Sequence, residues 1–181
     1  MIYVFIAQGF EEIEAVSVVD ILRRSSGLRV MTVGVGGKEI VGAHGIKITA
    51  DITEDEVNVE NMEMVVLPGG LPGADNLENS QYVRDYIGFC NVTQKYIAAI
   101  CAAPQILGHL KLLEGKTVTC YPGFEKELGE NVIYTGKQVE IDGNIITAKG
   151  PGAATEFALK LIEVLGDSDK ANNVKDGLMV E

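Results

Sequence analysis

Cysteine and histidine are both scarce in this 181-residue chain. Three cysteines, Cys90, Cys101 and Cys120, make an odd number and include no CxxC pair, which excludes a disulfide framework and a zinc site of thiolates. Two histidines, His44 and His109, are too few and too far apart for a metal cluster, so no metal and no cofactor is expected. Basic residues are also in deficit: 15 Lys and Arg against 26 Asp and Glu give a formal charge of −11. A chain of that sign lacks the basic surface that nucleic acid or an anionic membrane requires. No apolar run approaches the roughly 18–20 residues of a membrane-spanning helix. The opening MIYVFIAQGF has no basic segment ahead of its apolar stretch, so a secretory leader is not expected and the cytoplasm is the expected compartment.

What is present is ordinary globular material, 46% hydrophobic and 23% charged, in a length suited to one domain over residues 1–181. Short apolar runs at 2–7, 28–35, 62–67 and 95–100 read as strands covered on both faces. Between them lie helical patterns. Over 11–24 the residues Ile13, Val16, Val18 or Val19, Ile21 and Leu22 recur at helical spacing, with acids in the first turn, arginines in the last and Gly27 beyond. Ser80 caps an expected helix to about residue 93, and 103–113 and 154–166 read as two more. Residues 36–50 carry the glycine punctuation of a hairpin, PGGLPGADNL reads as a loop, and KTVTCYP supplies a short strand. Asp142-Gly143 between alternating runs marks a second hairpin, and the polar tail has room for one short helix. Strands alternating with helices imply a mainly parallel α/β sheet with helices on both faces, whose site lies beyond the C-terminal strand ends.

Three features fall at those ends. In AAICAAPQ, Cys101 sits at a strand-to-helix turn, where unpaired amides and a helix dipole stabilise a thiolate and small neighbours permit a tight elbow. Free cysteine is also among the most buried residue types, and position alone divides evenly between packing and chemistry. LPGG over 67–70 can point backbone amides at an oxyanion, although in isolation an ordinary turn is the better account of it. Glu11, Glu12 and Glu14 begin the first helix. Solvated carboxylates are the default there, but Glu14 shares a face with Val18 and Ile21, which would desolvate it and raise its pKa. Spacing leaves the choice among the three open. Neither histidine is placed to act as a base: His109 lies two turns beyond Cys101 and reads as a packing or capping residue, His44 as a rim residue, and Cys90 and Cys120 as structural.

Taken in register, GFEEIEAV, VVLPGG, AAICAAP, EIDGNIITAKGPGAATEFAL and NVKDGLMV resemble the ThiJ/PfpI superfamily, within it the branch of the parkinsonism-associated protein deglycase (DJ-one) and its bacterial relatives, along essentially the whole chain. The resemblance implies a flavodoxin-like three-layer α/β sandwich, a homodimer, and a nucleophile elbow carrying Cys101. It implies Glu14 as the buried protonated acid beside the thiol, with Gly69, Gly70 and Ala102 as oxyanion-side or substrate-binding backbone positions. A histidine common in the branch after the next strand is replaced here by Tyr121, which donates a hydrogen bond but, as a phenol, is a poorer proton shuttle. Ala102 stands where the protease-like branch has histidine, which disfavours proteolysis, and no histidine follows His109 to serve a glutamine amidotransferase. The implied function is a cofactor-independent glyoxalase or deglycase acting on methylglyoxal-like dicarbonyls or their early protein adducts. The alternative is a redox-sensing stress protein or chaperone switched at Cys101. Some relatives are labelled as thiazole monophosphate biosynthesis proteins, but no residue here supports that chemistry.

Overall fold

A computed structural model describes residues 1–166 and 168–180. Its centre is a seven-stranded sheet built on four short, fully or largely apolar strands: β1 (Ile2–Ile6), β2 (Val30–Gly34), β6 (Met64–Leu67) and β7 (Tyr96–Ile100). To these are added β5 (Ile52–Thr53), β10 (Val139–Asp142) and β11 (Ile145–Ala148), in the order β10-β11-β7-β6-β1-β2-β5. Every pairing in this sheet is parallel except β10 with β11. Two small pairs lie outside it: the antiparallel hairpin β3 (Glu39–Val41) and β4 (Lys47–Thr49), and the parallel pair β8 (Thr117–Val118) and β9 (Ile133–Tyr134).

The period of two along each strand sends alternate side chains into two cores. Tyr3, Phe5, Val65, Leu67 and Ile97 pack against α2 (Gly73–Asn79), α3 (Gln81–Val92) and α4 (Pro104–His109) through Leu77, Ile87 and Ile106. Ile2, Val4, Met64 and Ile100 pack on the other face against α1 (Glu12–Arg24), α5 (Ala154–Val164) and α6 (Ser168–Gly177) through Leu22, Phe157 and Val174. Fully buried side chains such as Phe5, Leu22 and Phe157 each contribute about 2–3 kcal/mol of burial free energy. The result is a flavodoxin-like three-layer α/β sandwich. No helix among the described residues is long and apolar enough to cross a membrane.

Several sequence expectations shift. The expected loop after β6 contains α2, which begins on glycine without a side-chain cap and is held instead by the burial of Ala74 and Leu77. The helix expected over 103–113 stops at His109, because Lys111 turns left-handed (φ 58°) and its N–H closes on the Gly108 carbonyl at 2.9 Å. The KTVTCYP strand belongs to the small β8–β9 pair rather than to the main sheet. Asp142 pairs with Ile145, so the hairpin turn is Gly143-Asn144, one residue later than expected. On α1 the buried stripe runs through Glu14, Ala15, Val18, Ile21 and Leu22, leaving Ile13 and Val16 about half exposed.

Candidate active site

β1, β6 and β7 all end at one edge of the sheet, beside the point where the strand order reverses around β1. Each delivers one expected feature there: the start of α1, the Gly69-Gly70 turn and Cys101. Cys101 is a non-glycine residue in the left-handed region (φ 65°), a conformation costing about 1–2 kcal/mol. Main-chain bonds hold it there. Its N–H donates to the Ala148 carbonyl and its own carbonyl accepts from the Tyr121 N–H, both at 2.9 Å. Cys101 is 8% exposed, whereas Cys90 and Cys120 are fully buried, with thiols pushed up to about 12 mainly by burial.

Glu14 is fully buried on the core-facing stripe of α1. Its Oε2 accepts the Gly69 N–H at 2.7 Å, while Oε1 is sealed from solvent without a hydrogen-bond partner. The Cys101 thiol stands against this carboxyl. Burial, opposed by the thiol and the Gly69 amide and reinforced by the charge of Glu11, pushes Glu14 up to about 7. A protonated Glu14 can therefore carry its hydrogen on the oxygen that otherwise has no partner. Gly69 is obligatory at this junction: a Cβ would lie 2.7 Å from the Cys101 Cβ and 2.9 Å from Glu14 Oε2. At Gly70 (φ 84°) a Cβ would strike the Glu11 nitrogen at 2.4 Å.

Electrostatics around the sulphur depart from the sequence expectation of a thiol simply lowered by a helix start. Burial first, and then the Glu14 charge, push the Cys101 thiol up, while the Gly70 and Ala102 N–H groups pull it down. Thiol and carboxyl compete for one proton, so placing that proton on Glu14 removes the charge that most opposes a thiolate. The Gly69 N–H is already committed to Glu14, which leaves Gly70 and Ala102 as the amides facing the sulphur.

The remaining expected residues divide. Tyr121 is brought beside the elbow by its backbone, and its ring, 46% exposed, packs over Gly150 in an open cleft. His109 lies away from the thiol, at the end of α4, between Glu78 (2.6 Å) and Glu127 (3.1 Å). Glu12 is not the solvated carboxylate that helix-start statistics favour. It is buried, accepting the His44 N–H at 2.8 Å, the Ile46 N–H at 3.3 Å and the His44 ring at 2.8 Å, and it pins the 42–46 loop to α1. Sequence reasoning missed this anchor, although the GAHG turn, with amides lacking strand partners, was its trace. Glu11, Glu12 and His44 offer ligand atoms within 4.8 Å of one another, but the His44–Glu12 ion pair already occupies that set.

A parallel α/β layer carrying a left-handed cysteine elbow over a buried carboxyl defines a class of cysteine-centred proteins, and comparison with known proteins places the chain within it. Residues 1–164 match the DJ-1/PfpI family, and the chain belongs to that family. It is 39% identical to protein dj-1beta of Drosophila melanogaster over 179 residues, covering 98% of this chain and 95% of that one. It is 32% identical over 166 residues to a Caenorhabditis elegans protein named glutathione-independent glyoxalase DJR-1.2, covering 91% and 87%. The crystal structure of Drosophila melanogaster DJ-1beta superposes with a TM-score of 0.94 at 37% identity, over 99% of this chain and 97% of that one. An oxidised Toxoplasma gondii DJ-1 does so at 0.93 and 33%, over 99% and 97%.

Proposed function

We propose that the chain is a cofactor-independent glyoxalase acting on methylglyoxal-like 2-oxo aldehydes, free or in their early adducts with proteins. The observation that carries this reading is the Glu14 carboxyl, buried against the left-handed Cys101 and pushed up to about 7. The Cys101 sulphur attacks the aldehyde carbon, a C–S bond forms, and the oxygen takes a proton to give a hemithioacetal. The Gly70 and Ala102 amides stabilise the developing oxyanion. Glu14 then removes the proton on the sulphur-bearing carbon and returns one to the neighbouring carbon. This internal transfer converts the hemithioacetal into a thioester of the hydroxy acid and needs no external oxidant. Water cleaves the thioester, releasing the hydroxy acid and the thiol. Tyr121 supplies a hydroxyl donor in the adjoining cleft. The C. elegans relative named as a glutathione-independent glyoxalase supports the reaction class.

The test follows methylglyoxal loss without glutathione. Wild type should turn over, Cys101→Ala should lose activity by at least ~1000-fold, and Glu14→Gln by ~100-fold or more. Equal rates in all three would rule the mechanism out.

A second reading, oxidation of Cys101 as a stress-sensing switch, draws on the same thiol, because Cys90 and Cys120 are sealed in the core. Peroxide-treated protein carrying its added oxygen on either of those two would contradict it. For assembly we propose a homodimer formed through the exposed apolar side chains Ile13 and Val16 of α1 and the neighbouring Ile46.

A further inference from the structure

A cleft of about 470 Å³ is lined by Tyr121, Pro122, Gln138, Lys149, Gly150 and Pro151. Two of its lining segments are tied to the backbone of the nucleophile. The Tyr121 N–H donates to the Cys101 carbonyl, and the Cys101 N–H donates to the carbonyl of Ala148, the residue before Lys149. The parallel ladder ends at the Ala148–Ile100 pair, so Lys149 and Cys101 are the residues that follow its last rung on the two strands.

The charge of this cleft is opposite to that of the protein. The chain carries 26 acids against 15 bases, yet no carboxylate lines the cleft. Lys149 is its one formal charge, partly buried, and among the described residues it forms no ion pair or hydrogen bond through its ammonium. Gln138 and Tyr121, which carry an amide and a hydroxyl donor, line the same space. An unpaired cation and neutral donors in an acid-free recess beside a nucleophile suit a small anion, carboxylate above all.

We propose that this cleft is an anion-recognising subsite of the active site, and that Lys149 selects substrates carrying a carboxylate beyond the reacting aldehyde. The inference deepens the glyoxalase reading by naming a substrate class, and it rests on Cys101 being the reacting thiol. It places acidic 2-oxo aldehydes, rather than neutral methylglyoxal, as the better substrates.

The test is independent of turnover. Cys101 is alkylated with iodoacetate, which is anionic, and with iodoacetamide, its neutral counterpart, and labelling of that residue is timed by mass spectrometry. In both, the sulphur displaces iodide, a C–S bond forms, and the thiol proton leaves to solvent. Iodoacetamide reports the intrinsic reactivity of the thiol, so the ratio of the two rates isolates recognition of the carboxylate. Lys149→Met should lower the iodoacetate-to-iodoacetamide ratio about five- to tenfold, and Lys149→Arg should restore it. Raising salt toward 1 M should lower the ratio in wild type but barely in Lys149→Met. A ratio unchanged by Lys149→Met, or one falling equally in Lys149→Arg, overturns the proposal. Failure of wild type to consume methylglyoxal would strike the glyoxalase reading alone and leave this ratio measurable. Where turnover is present, Lys149→Met should raise KM for a carboxylated 2-oxo aldehyde about tenfold.

Discussion

Glu14 has a consequence for stability as well as for chemistry. Its carboxyl rises from an ordinary 4.5 to about 7 in the folded protein, with burial as the largest cause. Between those values the folded chain retains a proton that the unfolded chain has released, so stability falls as pH rises through that window. Glu14→Gln cannot ionise and escapes the loss. Calorimetric melts should therefore show the variant gaining on wild type from pH 4.5 to 7.5, by about 1–3 kcal/mol at the upper end. A constant offset across that range would show that the carboxyl does not titrate as described. At this scale the sequence carries much of the site. Cys101 is visible from its place after an apolar run and between alanines, and Glu14 from its core-facing spacing. Which proton acceptor the Gly69 amide serves is not visible, because an N–H direction is set by how the turn closes onto a helix 55 residues away.

The helices α2 and α4 meet through a clasp as well as through apolar packing. At the end of α4, His109 bridges Glu78 of α2 and Glu127 of the short 3₁₀ turn at Glu125–Leu128. Beside it α4 and that turn touch backbone to backbone: a Cβ on Gly108 would lie 2.1 Å from the Glu127 carbonyl oxygen. The two carboxylates, Glu78 first, raise the imidazole above its ordinary 6.5. A raised histidine contributes stability that is present in full below pH 6.5 and lost as pH climbs through the folded value. His109→Gln should therefore destabilise the protein more at pH 6 than at pH 9 in thermal melts, and an equal loss at both would exclude the clasp. Elements with strong periodicity, such as α1, α3, α5 and both hairpins, are legible in the sequence. α2 is not, because its glycine start has poor helix propensity and only tertiary burial of Ala74 and Leu77 sustains it.

For the whole molecule, the parallel order and two-faced cover follow from alternating apolar runs and helical patterns, whereas assembly does not. Ile13 and Val16 have the spacing of core residues, yet the structure turns both outward. Ile46, whose N–H donates to Glu12 beside Ile13, is exposed as well. Sedimentation should give a wild-type mass of twice 19.4 kDa, and the pair Ile13→Glu with Val16→Glu should return it to 19.4 kDa. A monomeric wild type would contradict the proposed assembly.

The strand order bears on how copies can meet. One margin of the main sheet is β5, only two residues long, and the other is β10, whose Asp142 accepts the Thr117 N–H at 2.9 Å and the Lys116 ammonium at 3.2 Å from the segment beside it. A short margin and an acidic, partly covered one are poor templates for a strand from another molecule. The sheet is thus closed to sideways growth, and a partially opened protein would lack the ready-made ribbon edge from which fibrils extend.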